Sequence, residues 1–451
     1  MIRVNRQGYK DKSKDEILDE LEKVLNEREK ALNEREKALN ENERLKRELR
    51  KYTGPNTPPS AHPHLKPVAA PAPRRHKRGA PLGHPGTTRP WVTPVEYRVI
   101  EACECPRCHS HHIRKRRDRH QQLSEAPPEI KPRIIDATRG EYDCLDCNLK
   151  FQARDHRTPL QGRFGVNIMV LVILLKFVVR GVLRKTARFL EACSGCPLAP
   201  ASVQAIISRA SAAATSEYDA IKTRIRKARI VYADETSFRV LGTNWWCWVF
   251  RSDTDLLLVL RPSRGANVLE EILGKHYKGV LVCDCWNAYG TLQFAIIQRC
   301  WSHLLRKAKA LTTPEGKEFY SQLGALFARI ERFNAKKRTR AERLRRYEQL
   351  TTQLQRLLDH YAIYRNDEEL YGTLSYISNH LSEWFTCIKY AGIEATNNFA
   401  EQAIRETVIV RKIIGAFRSK HGPETYTTIA SLLATWQLQK KDLRTELTRT
   451  L

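Results

Sequence analysis

The sequence predicts a multi-domain α+β protein: an N-terminal coiled-coil helix and a zinc ribbon, followed by an α/β core that contains a helical insertion. Three observations predict this. Leucines repeat every seven residues near the N-terminus, two Cys-x-x-Cys pairs follow, and two β-branched runs further on each end in Asp. A chain of 451 residues is also too long for one compact core, so several folded units and linkers are expected.

The charge balance indicates the class of partner. The chain has 78 Lys and Arg against 50 Asp and Glu, a formal net charge of +28. Basic side chains that neutralise phosphates release counterions, so this excess favours a polyanion such as DNA. Charge alone does not separate a DNA enzyme from a ribosome-binding or membrane-surface protein.

Nothing in the sequence predicts export or membrane insertion. Residues 1–14 are polar and basic and lack the apolar segment of a signal peptide. The most apolar run, residues 168–179, is shorter than the ~20 residues that a membrane span needs, and Lys176 interrupts it. We therefore expect a cytoplasmic, nucleoid-associated protein without a membrane partner.

Residues 1–50 are predicted to form an oligomerisation helix. The stretch 15–50 contains no Gly or Pro, and its seven-residue repeat consists of Leu18, Leu25, Leu32 and Leu39. Such a repeat predicts a left-handed coiled coil and therefore a homodimer or higher oligomer. Arg28, Arg35 and Asn42 weaken the seam, and the alternative is a charged single helix held by Glu–Lys and Glu–Arg pairs.

Residues 51–94 read as a linker. The stretch is rich in Pro, Gly and basic residues, and no acidic residue occurs between Glu48 and Glu96. Such a composition cannot supply a packed core. Its basic run at residues 74–78 fits either an arm along a DNA backbone or a solvated tether.

Two Cys-x-x-Cys pairs predict a structural Zn²⁺ site. Their members are Cys105, Cys108, Cys144 and Cys147. Four thiolates at this spacing are typical of tetrahedral zinc, and cysteines in a cytosolic protein bind metal more often than they form disulfides. The flanking residues 95–102, 133–142 and 149–153 read as short strands, which together predict a zinc ribbon over residues 95–155.

A dense basic run lies between the two cysteine pairs, at residues 114–120. A ribbon that carries such a run is suited to contacts with DNA phosphates, which position a protein without reading sequence. The residues assigned to these contacts are Arg114, Lys115, Arg116 and Arg117. The alternative is that the zinc site only stabilises the fold and the basic run does not contact DNA. The isolated pair Cys193-x-x-Cys196 stands in helical sequence, and no metal is assigned to it.

Residues 156–228 are predicted to be a helical connecting region, because apolar residues recur there at three- and four-residue spacing. The pattern leaves open whether this region also contacts DNA.

A strand pattern follows that brings two carboxylates together. The segments 229–234, 245–251, 256–261 and 279–284 read as strands, and residues 266–276 as a helix before the last of them. The first strand ends in Asp234 and the fourth in Asp284. Three strands, a helix and a fourth strand are the opening of a ribonuclease-H-like fold. The first and fourth strands are neighbours there, so the two carboxylates are expected side by side.

Carboxylates at adjacent strand ends can hold divalent cations, and hard oxygen ligands select Mg²⁺ or Mn²⁺. Two such ions about 4 Å apart are suited to phosphodiester cleavage and strand transfer. A third carboxylate is available in the run 397–405, where Asn398, Glu401 and Arg405 share one helical face. Taken singly, an Asp at a strand end is more often a surface or capping residue, and a helical Glu is usually solvated.

A helical insertion is predicted at residues 314–390, which divides the core into residues 229–313 and 391–440. Its basic run, residues 336–346, fits either DNA contacts or an amphipathic hairpin with solvated charge. Two residues that precede the insertion, His303 and Arg306, would either orient a scissile phosphate or cap a structural helix.

Several motifs closely resemble the insertion-sequence-66 family of DDE transposases. They are Tyr232-Ala233-Asp234-Glu235-Thr236, Cys300-Trp301-Ser302-His303-Leu304, Asn397-Asn398-Phe399-Ala400-Glu401-Gln402-Ala403-Ile404-Arg405, Arg411-Lys412 and the Gly/Pro-rich stretch 77–90. The likeness extends from about Arg74 to about Leu438, in the order of that family: helical N-terminus, zinc domain and catalytic domain.

The resemblance implies a transposase that cleaves and transfers insertion-sequence DNA ends, with Asp234, Asp284 and Glu401 as catalytic residues and Mg²⁺ (or Mn²⁺) ligands. It also implies transposon ends and target DNA as partners, together with accessory proteins of the same element. Further DNA contacts are assigned to Arg405, Arg411 and Lys412. The alternatives are a catalytically inactive, transposase-derived DNA-binding protein and a structure-selective nuclease without strand transfer.

Three local points qualify the catalytic assignment. The segment 283–289 departs from the Asp-Gly-Tyr that is usual in the family, with Tyr289 at the aromatic position. Glu235, next to Asp234, is expected to point to the opposite face of its strand. Glu394 is the rival of Glu401, but it precedes the Asn-Asn pair, where the family pattern does not place its glutamate.

Overall fold

The computed structural model describes residues 162–451 without a gap. Before them it describes residues 131–138, 140–153, most of 103–114, and scattered positions at 23–42, 93 and 159. The chain divides into two compact units, residues 1–124 and 125–451. The described positions between 23 and 42 are helical. Most of the predicted coiled coil, the linker and the strand at 95–102 lie outside the described residues.

A small hairpin precedes the main fold. Strand β1 (Glu141–Asp143) pairs antiparallel with β2 (Lys150–Gln152), and the rings of Tyr142 and Phe151 stack across it. The strand expected over residues 133–142 is wrong for most of its length, because residues 131–138 are not in a strand. Its consecutive isoleucines, Ile134 and Ile135, are 92% and 69% exposed, so no described segment covers them.

The connecting region is helical, as predicted. It consists of α1 (Val166–Phe177), α2 (Leu183–Ser194), α3 (Pro200–Ala213) and α4 (Thr215–Lys227). The apolar run of α1 lies inside the protein, where Val172 and Ile173 are fully buried. Across the parts of the chain that the structure describes, no helix combines the length and apolar character needed to cross a membrane.

The centre of the fold is a mixed sheet with strand order β5-β4-β3-β6-β7, and a short β8 also pairs with β3. The strands are β3 (Ile230–Val240), β4 (Thr243–Arg251), β5 (Leu256–Arg261), β6 (Val280–Cys283), β7 (Ile296–Arg299) and β8 (Ala416–Phe417). Pairing is antiparallel from β3 to β5 and parallel from β3 through β6 to β7. Helix α5 (Ala266–Leu273) precedes β6. The predicted adjacency of the first and fourth strands is confirmed.

The first hairpin extends β3 well beyond its predicted end. Leu241 and Gly242 both have positive φ, 48° and 81°. These values are typical of a two-residue hairpin turn, whose twist matches that of the two strands it joins. The turn lets β3 and β4 pair from Tyr232–Arg251 to Val240–Thr243. Asp234 therefore lies within a long strand and not at its tip.

The two faces of the sheet pack against different parts of the chain. Ile230 and Tyr232 of β3 belong to a core formed with the helices after β7, and we call this side the insertion face. Val231 and Ala233 belong to a core formed with α1 to α5 and the C-terminal helices, and we call this side the connector face. The alternation follows from the two-residue period of a strand.

A series of helices follows β7, and one of them begins at Pro314, the first residue of the predicted helical insertion. After α6 (Trp301–Lys309), the helices are α7 (Pro314–Asn334), α8 (Arg340–Tyr361), α9 (Glu368–Ser378) and α10 (Thr386–Lys389). Thr313 caps α7 and is followed by Pro at the first helical position, while Thr339 and Glu342 form a capping box at α8. The chain then returns to the sheet with α11 (Asn398–Ile414), α12 (Gly422–Leu438) and α13 (Leu443–Thr450).

Candidate active site

The strand register places Asp234 and Asp284 side by side. The last registered pair of β3 and β6 is Tyr232 with Val282, and two more residues along each strand lead to Asp234 and Asp284. Backbones of neighbouring strands lie about 4.8 Å apart. Asp234 lies two residues after Tyr232, and Asp284 lies two residues after Val282. Residues two apart in a strand point to the same face, and Tyr232 and Val282 belong to the core of the insertion face. The two carboxylates are therefore expected on that face.

The backbone at Asp284 is fixed by the next strand. Arg299, at the end of β7, is 1% exposed, and its guanidinium donates to the carbonyl of Asp284 at 2.6 Å. The backbone N–H of Trp286 donates to Oδ1 of Asp284 at 2.8 Å. These contacts orient the Asp284 carboxylate at the point where β6 ends.

Glu401 reaches the same face in the first turn of α11, whose start is anchored to β3. Asn397, fully buried, donates from its side chain to the carbonyl of Ala233 at 2.7 Å, next to Asp234. The ring of Phe399 packs edge-on against Tyr232, with 5.0 Å between centroids. Asn397, the first residue of the Asn-Asn motif, thus has a structural role, because it fixes the start of the helix that carries Glu401.

The electrostatics at Asp234 show that the other two acids lie close to it. Burial and the carboxylates of Glu235, Asp284 and Glu401 raise the pKa of Asp234 well above its ordinary value, although the N–H of Glu235 donates to Asp234. Within residues 162–451, no Lys, Arg or His lies within 4.0 Å of the carboxylate of Asp234 or Asp284. Carboxylates left without a basic partner provide the donor set that a divalent cation requires.

The rival acids are arranged differently. Glu235 faces the other way, and its side chain is 1% exposed. It accepts hydrogen bonds from Arg264, at 2.9 Å, and from the hydroxyl of Tyr289. Glu394 is exposed and lies before α11. Of Glu394 and Glu401, only Glu401 contributes to the raised pKa of Asp234.

Two residues whose role the sequence left open lie beside Glu401. Nδ1 of His303 is 3.5 Å from Oε1 of Glu401, and a guanidinium nitrogen of Arg306 is 3.6 Å from Oε2. Cys300, His303 and Arg306 recur every third residue and therefore share one side of α6. This three-residue spacing is visible in the sequence. The sequence does not reveal that these side chains meet Glu401, which only the packing of α6 against α11 shows.

The basic residues assigned to DNA contacts fall into different settings. Arg405 and Lys412 are exposed on α11, and Arg114 is exposed in the first unit. Lys115, Arg116 and Arg117 lie outside the described residues. Arg411 is half-buried, and its guanidinium donates to the side chains of Thr236 and Ser237 at 3.1 Å each. This side chain therefore holds α11 against β3, and the DNA contacts of the set stay predictions.

The predicted zinc ligands are described in part. Cys105 lies outside the described residues, Cys108 is in the first unit, and Cys144 and Cys147 flank the turn of the β1–β2 hairpin. The backbone N–H groups of Cys147 and Asp146 lower the pKa of the Cys144 thiol. A lowered pKa favours the thiolate that zinc binds. The zinc ribbon stays a prediction.

Comparison with known proteins identifies the family. The model of the Transposase IS66 family matches residues 161–425, which is more than half of the 451-residue chain. The matched region contains the whole sheet, the helical insertion, and Asp234, Asp284 and Glu401. A search of curated proteins finds no match to this chain. The chain belongs to the IS66 family of transposases.

Proposed function

We propose that this protein catalyses metal-dependent cleavage of insertion-sequence DNA ends and their transfer to target DNA, with Asp234, Asp284 and Glu401 as its catalytic residues. One observation carries the proposal: Asp234 and Asp284 follow the last registered pair of two neighbouring strands, and the carboxylates of both Asp284 and Glu401 are close enough to raise the pKa of Asp234. The family match supports a transposase role for the chain.

The fold supports the same proposal. Three antiparallel strands, a helix and two further parallel strands, in the order β5-β4-β3-β6-β7, fit a ribonuclease-H-like core. In this interpretation α7 to α10 are an insertion that separates α6 from α11, the helix that supplies the third acid. The interpretation accounts for the position of each proposed catalytic residue: Asp234 within β3, Asp284 directly after β6, and Glu401 on α11.

The donor set fits Mg²⁺ or Mn²⁺. It consists of carboxylate oxygens, and neither Asp234 nor Asp284 has an ion-pair partner within residues 162–451. Two bound ions would activate the attacking oxygen and stabilise the leaving oxygen of a phosphodiester. The chain itself contributes position: Arg299 fixes the backbone of Asp284, while Asn397 and Arg411 fix the helix that carries Glu401.

A cluster of arginines on the insertion supports DNA as the partner. The guanidinium groups of Arg338, Arg343 and Arg346 lie 5.1, 5.8 and 6.0 Å from the ring centroid of Phe333. The Nε atoms of all three are buried without a hydrogen-bond partner. Burial and the nearby charges of Arg329 and Arg332 lower the pKa of Arg346. Arg343 is buried and donates to the carbonyl of Ile388 at 3.0 Å, and Arg338 lies 3.6 Å from Glu342, so Arg346 is the member of the cluster that a DNA phosphate would contact.

The test is cleavage of a linear DNA that carries the element's own ends, in Mg²⁺ or Mn²⁺. We expect the wild-type protein to cut at the ends, and Asp284→Ala to lower the rate by at least about 10³-fold, because the ions lose a ligand. The matched control is Asp253→Ala, which removes an exposed acid outside the site. Equal cleavage by wild type and Asp284→Ala would contradict the catalytic assignment.

A second DNA in the same reaction separates the activities. Joining of the cut ends to that DNA supports a transposase, whereas cutting without joining indicates a structure-selective nuclease. Binding of the ends without cutting in either metal indicates an inactive, transposase-derived DNA-binding protein.

A further inference from the structure

The first turns of α6 and α11 face each other and form a mixed cluster of possible metal ligands. The sulfur of Cys300, a ring nitrogen of His303 and a carboxylate oxygen of Glu401 all lie within 4.8 Å of one another. Nδ1 of His303 and Oε1 of Glu401 are 3.5 Å apart.

These two atoms lack the partners that buried polar atoms normally have. Both Nδ1 of His303 and Oε1 of Glu401 are shielded from solvent and form no hydrogen bond in the described part of the chain. Their separation exceeds the usual 2.7–3.2 Å range of a nitrogen–oxygen hydrogen bond. Buried polar atoms without a partner are uncommon, and an ion is one of the groups that can satisfy them.

Another histidine–glutamate pair shows the difference. Nδ1 of His380 is 3.3 Å from Oε2 of Glu383, but that oxygen also accepts a hydrogen bond from the buried Arg299. The charge of Glu383 is therefore balanced within the protein. At Glu401, Arg306 approaches only the other oxygen, Oε2, and its side chain is 61% exposed. Oε1 of Glu401 is left for a different cation.

The separation of the two atoms suits a shared ion. Two ligands bound to one ion at about 2.0–2.2 Å lie roughly 3.0–3.6 Å apart, depending on the coordination angle. The sulfur of Cys300 is less available, because it accepts the N–H of Asn397 at 3.1 Å and is buried. Cys300 therefore helps to hold the start of α11 in place and is not proposed as a ligand.

We propose that Nδ1 of His303 is a nitrogen ligand of the ion that Glu401 holds, so that this position is a mixed nitrogen–oxygen site. The inference rests on the proposed function, which places an ion at Glu401. Imidazole nitrogen favours transition-metal ions, whereas purely carboxylate sites suit Mg²⁺. The site therefore binds Mn²⁺ more tightly than Mg²⁺, and His303 is the source of that preference.

The test uses electron paramagnetic resonance of Mn²⁺ bound to the full-length protein without DNA. In the wild type, we expect hyperfine coupling from one ¹⁴N nucleus directly bound to the ion. His303→Gln should abolish this coupling and weaken Mn²⁺ binding by at least about tenfold while changing Mg²⁺ binding less. The matched control, His380→Gln, removes the histidine of the His380–Glu383 pair and should retain the coupling.

The outcomes separate this inference from the proposed function. Mn²⁺ binding that Glu401→Gln abolishes, but that shows no ¹⁴N coupling in the wild type, overturns the role of His303 and leaves the carboxylate site in place. Coupling that persists in His303→Gln also overturns it. Nitrogen-coupled Mn²⁺ in a protein that cuts no DNA supports the ligand and contradicts the function. Mn²⁺ binding that does not depend on Glu401 contradicts both.

Discussion

Asp234 and Glu235 are consecutive acids of one strand, and the two faces of the sheet treat them in opposite ways. On the connector face, Glu235 is buried, and its carboxylate receives Arg264 and Tyr289. Arg264 is held in turn by stacking on Trp246 and Trp286, with 4.5 and 3.9 Å to the ring centroids. Arg264 and Tyr289 offset the charge of Glu235, although burial and the carboxylate of Asp284 still raise the pKa of Glu235 above its ordinary value.

On the insertion face, Asp234 receives one hydrogen bond, from the backbone of Glu235, and has other acids as its neighbours. The comparison shows that burial of a carboxylate does not by itself indicate function. A buried acid with its own cation and hydroxyl stabilises the fold, whereas Asp234 and Asp284, which have no basic partner within residues 162–451, lack a group that balances their charge and can use a bound cation instead.

The largest expected effect concerns DNA cleavage. Asp234→Asn keeps the shape of the side chain but weakens it as a metal ligand, so we expect a loss of at least about 10³-fold in the rate of cleavage at the ends. Glu235→Gln should retain cleavage within about tenfold, because that side chain faces away from the site. Comparable losses in the two variants would contradict the claim that only the acid on the insertion face takes part in cleavage.

The next effect concerns stability on the connector face. Arg264→Met keeps an apolar stem for stacking but leaves Glu235 buried without its cation. Breaking a fully buried pair costs about 3–5 kcal/mol, and we expect about 2–3 kcal/mol here, because Arg264 is 31% exposed. Chemical denaturation measures this loss. The matched variant Arg306→Met, beside Glu401, should cost less than about 1 kcal/mol, because Arg306 is mostly exposed.

A smaller loss is expected for Tyr289→Phe. The substitution removes only the hydroxyl that donates to Glu235 and leaves the buried ring in place. A hydrogen bond to a charged group contributes about 1.5–3 kcal/mol, and Arg264 still balances Glu235, so we expect the lower end of that range. An unchanged free energy of unfolding would show that Arg264 alone satisfies Glu235.

The smallest effect has the opposite sign. Burial and neighbouring carboxylates raise the pKa of Asp234, so its ionised form is less favourable in the folded state than in the unfolded state. Without metal at neutral pH, Asp234→Asn should therefore stabilise the protein by about 1 kcal/mol. Thermal melts in chelator should show a higher melting temperature for the variant. Excess Mg²⁺ should stabilise the wild type and reverse the order. A less stable variant in chelator would mean that Asp234 is compensated like Glu235.

Local patterns predicted much of this arrangement. The β-branched runs predicted the strands that carry Asp234 and Asp284, and their adjacency is confirmed by the sheet. A helix begins at Pro314, where the predicted insertion starts, because a Thr cap and a Pro are local signals that do not depend on the rest of the fold.

The parts that depend on distant contacts were not predictable. Arg264 and Tyr289 lie 29 and 54 residues from Glu235, and nothing in their own segments indicates that they bind it. Arg299 holds Asp284 through a hydrogen bond to its backbone carbonyl. Every residue has such a carbonyl, so the sequence gives no sign of this contact. The strand expected at residues 133–142 failed for the converse reason, since β-branched residues favour a strand only where a partner covers them.

The most direct test of the central claim is affinity cleavage of the protein chain by bound Fe²⁺. With ascorbate and peroxide, Fe²⁺ in the proposed site generates hydroxyl radicals that cut the nearby backbone. We predict cuts close to residues 234, 284 and 401, which excess Mn²⁺ suppresses and which Asp234→Asn removes together. Cuts confined to other segments, or cuts at these residues that persist in Asp234→Asn, would contradict the assignment of the three carboxylates to one metal site.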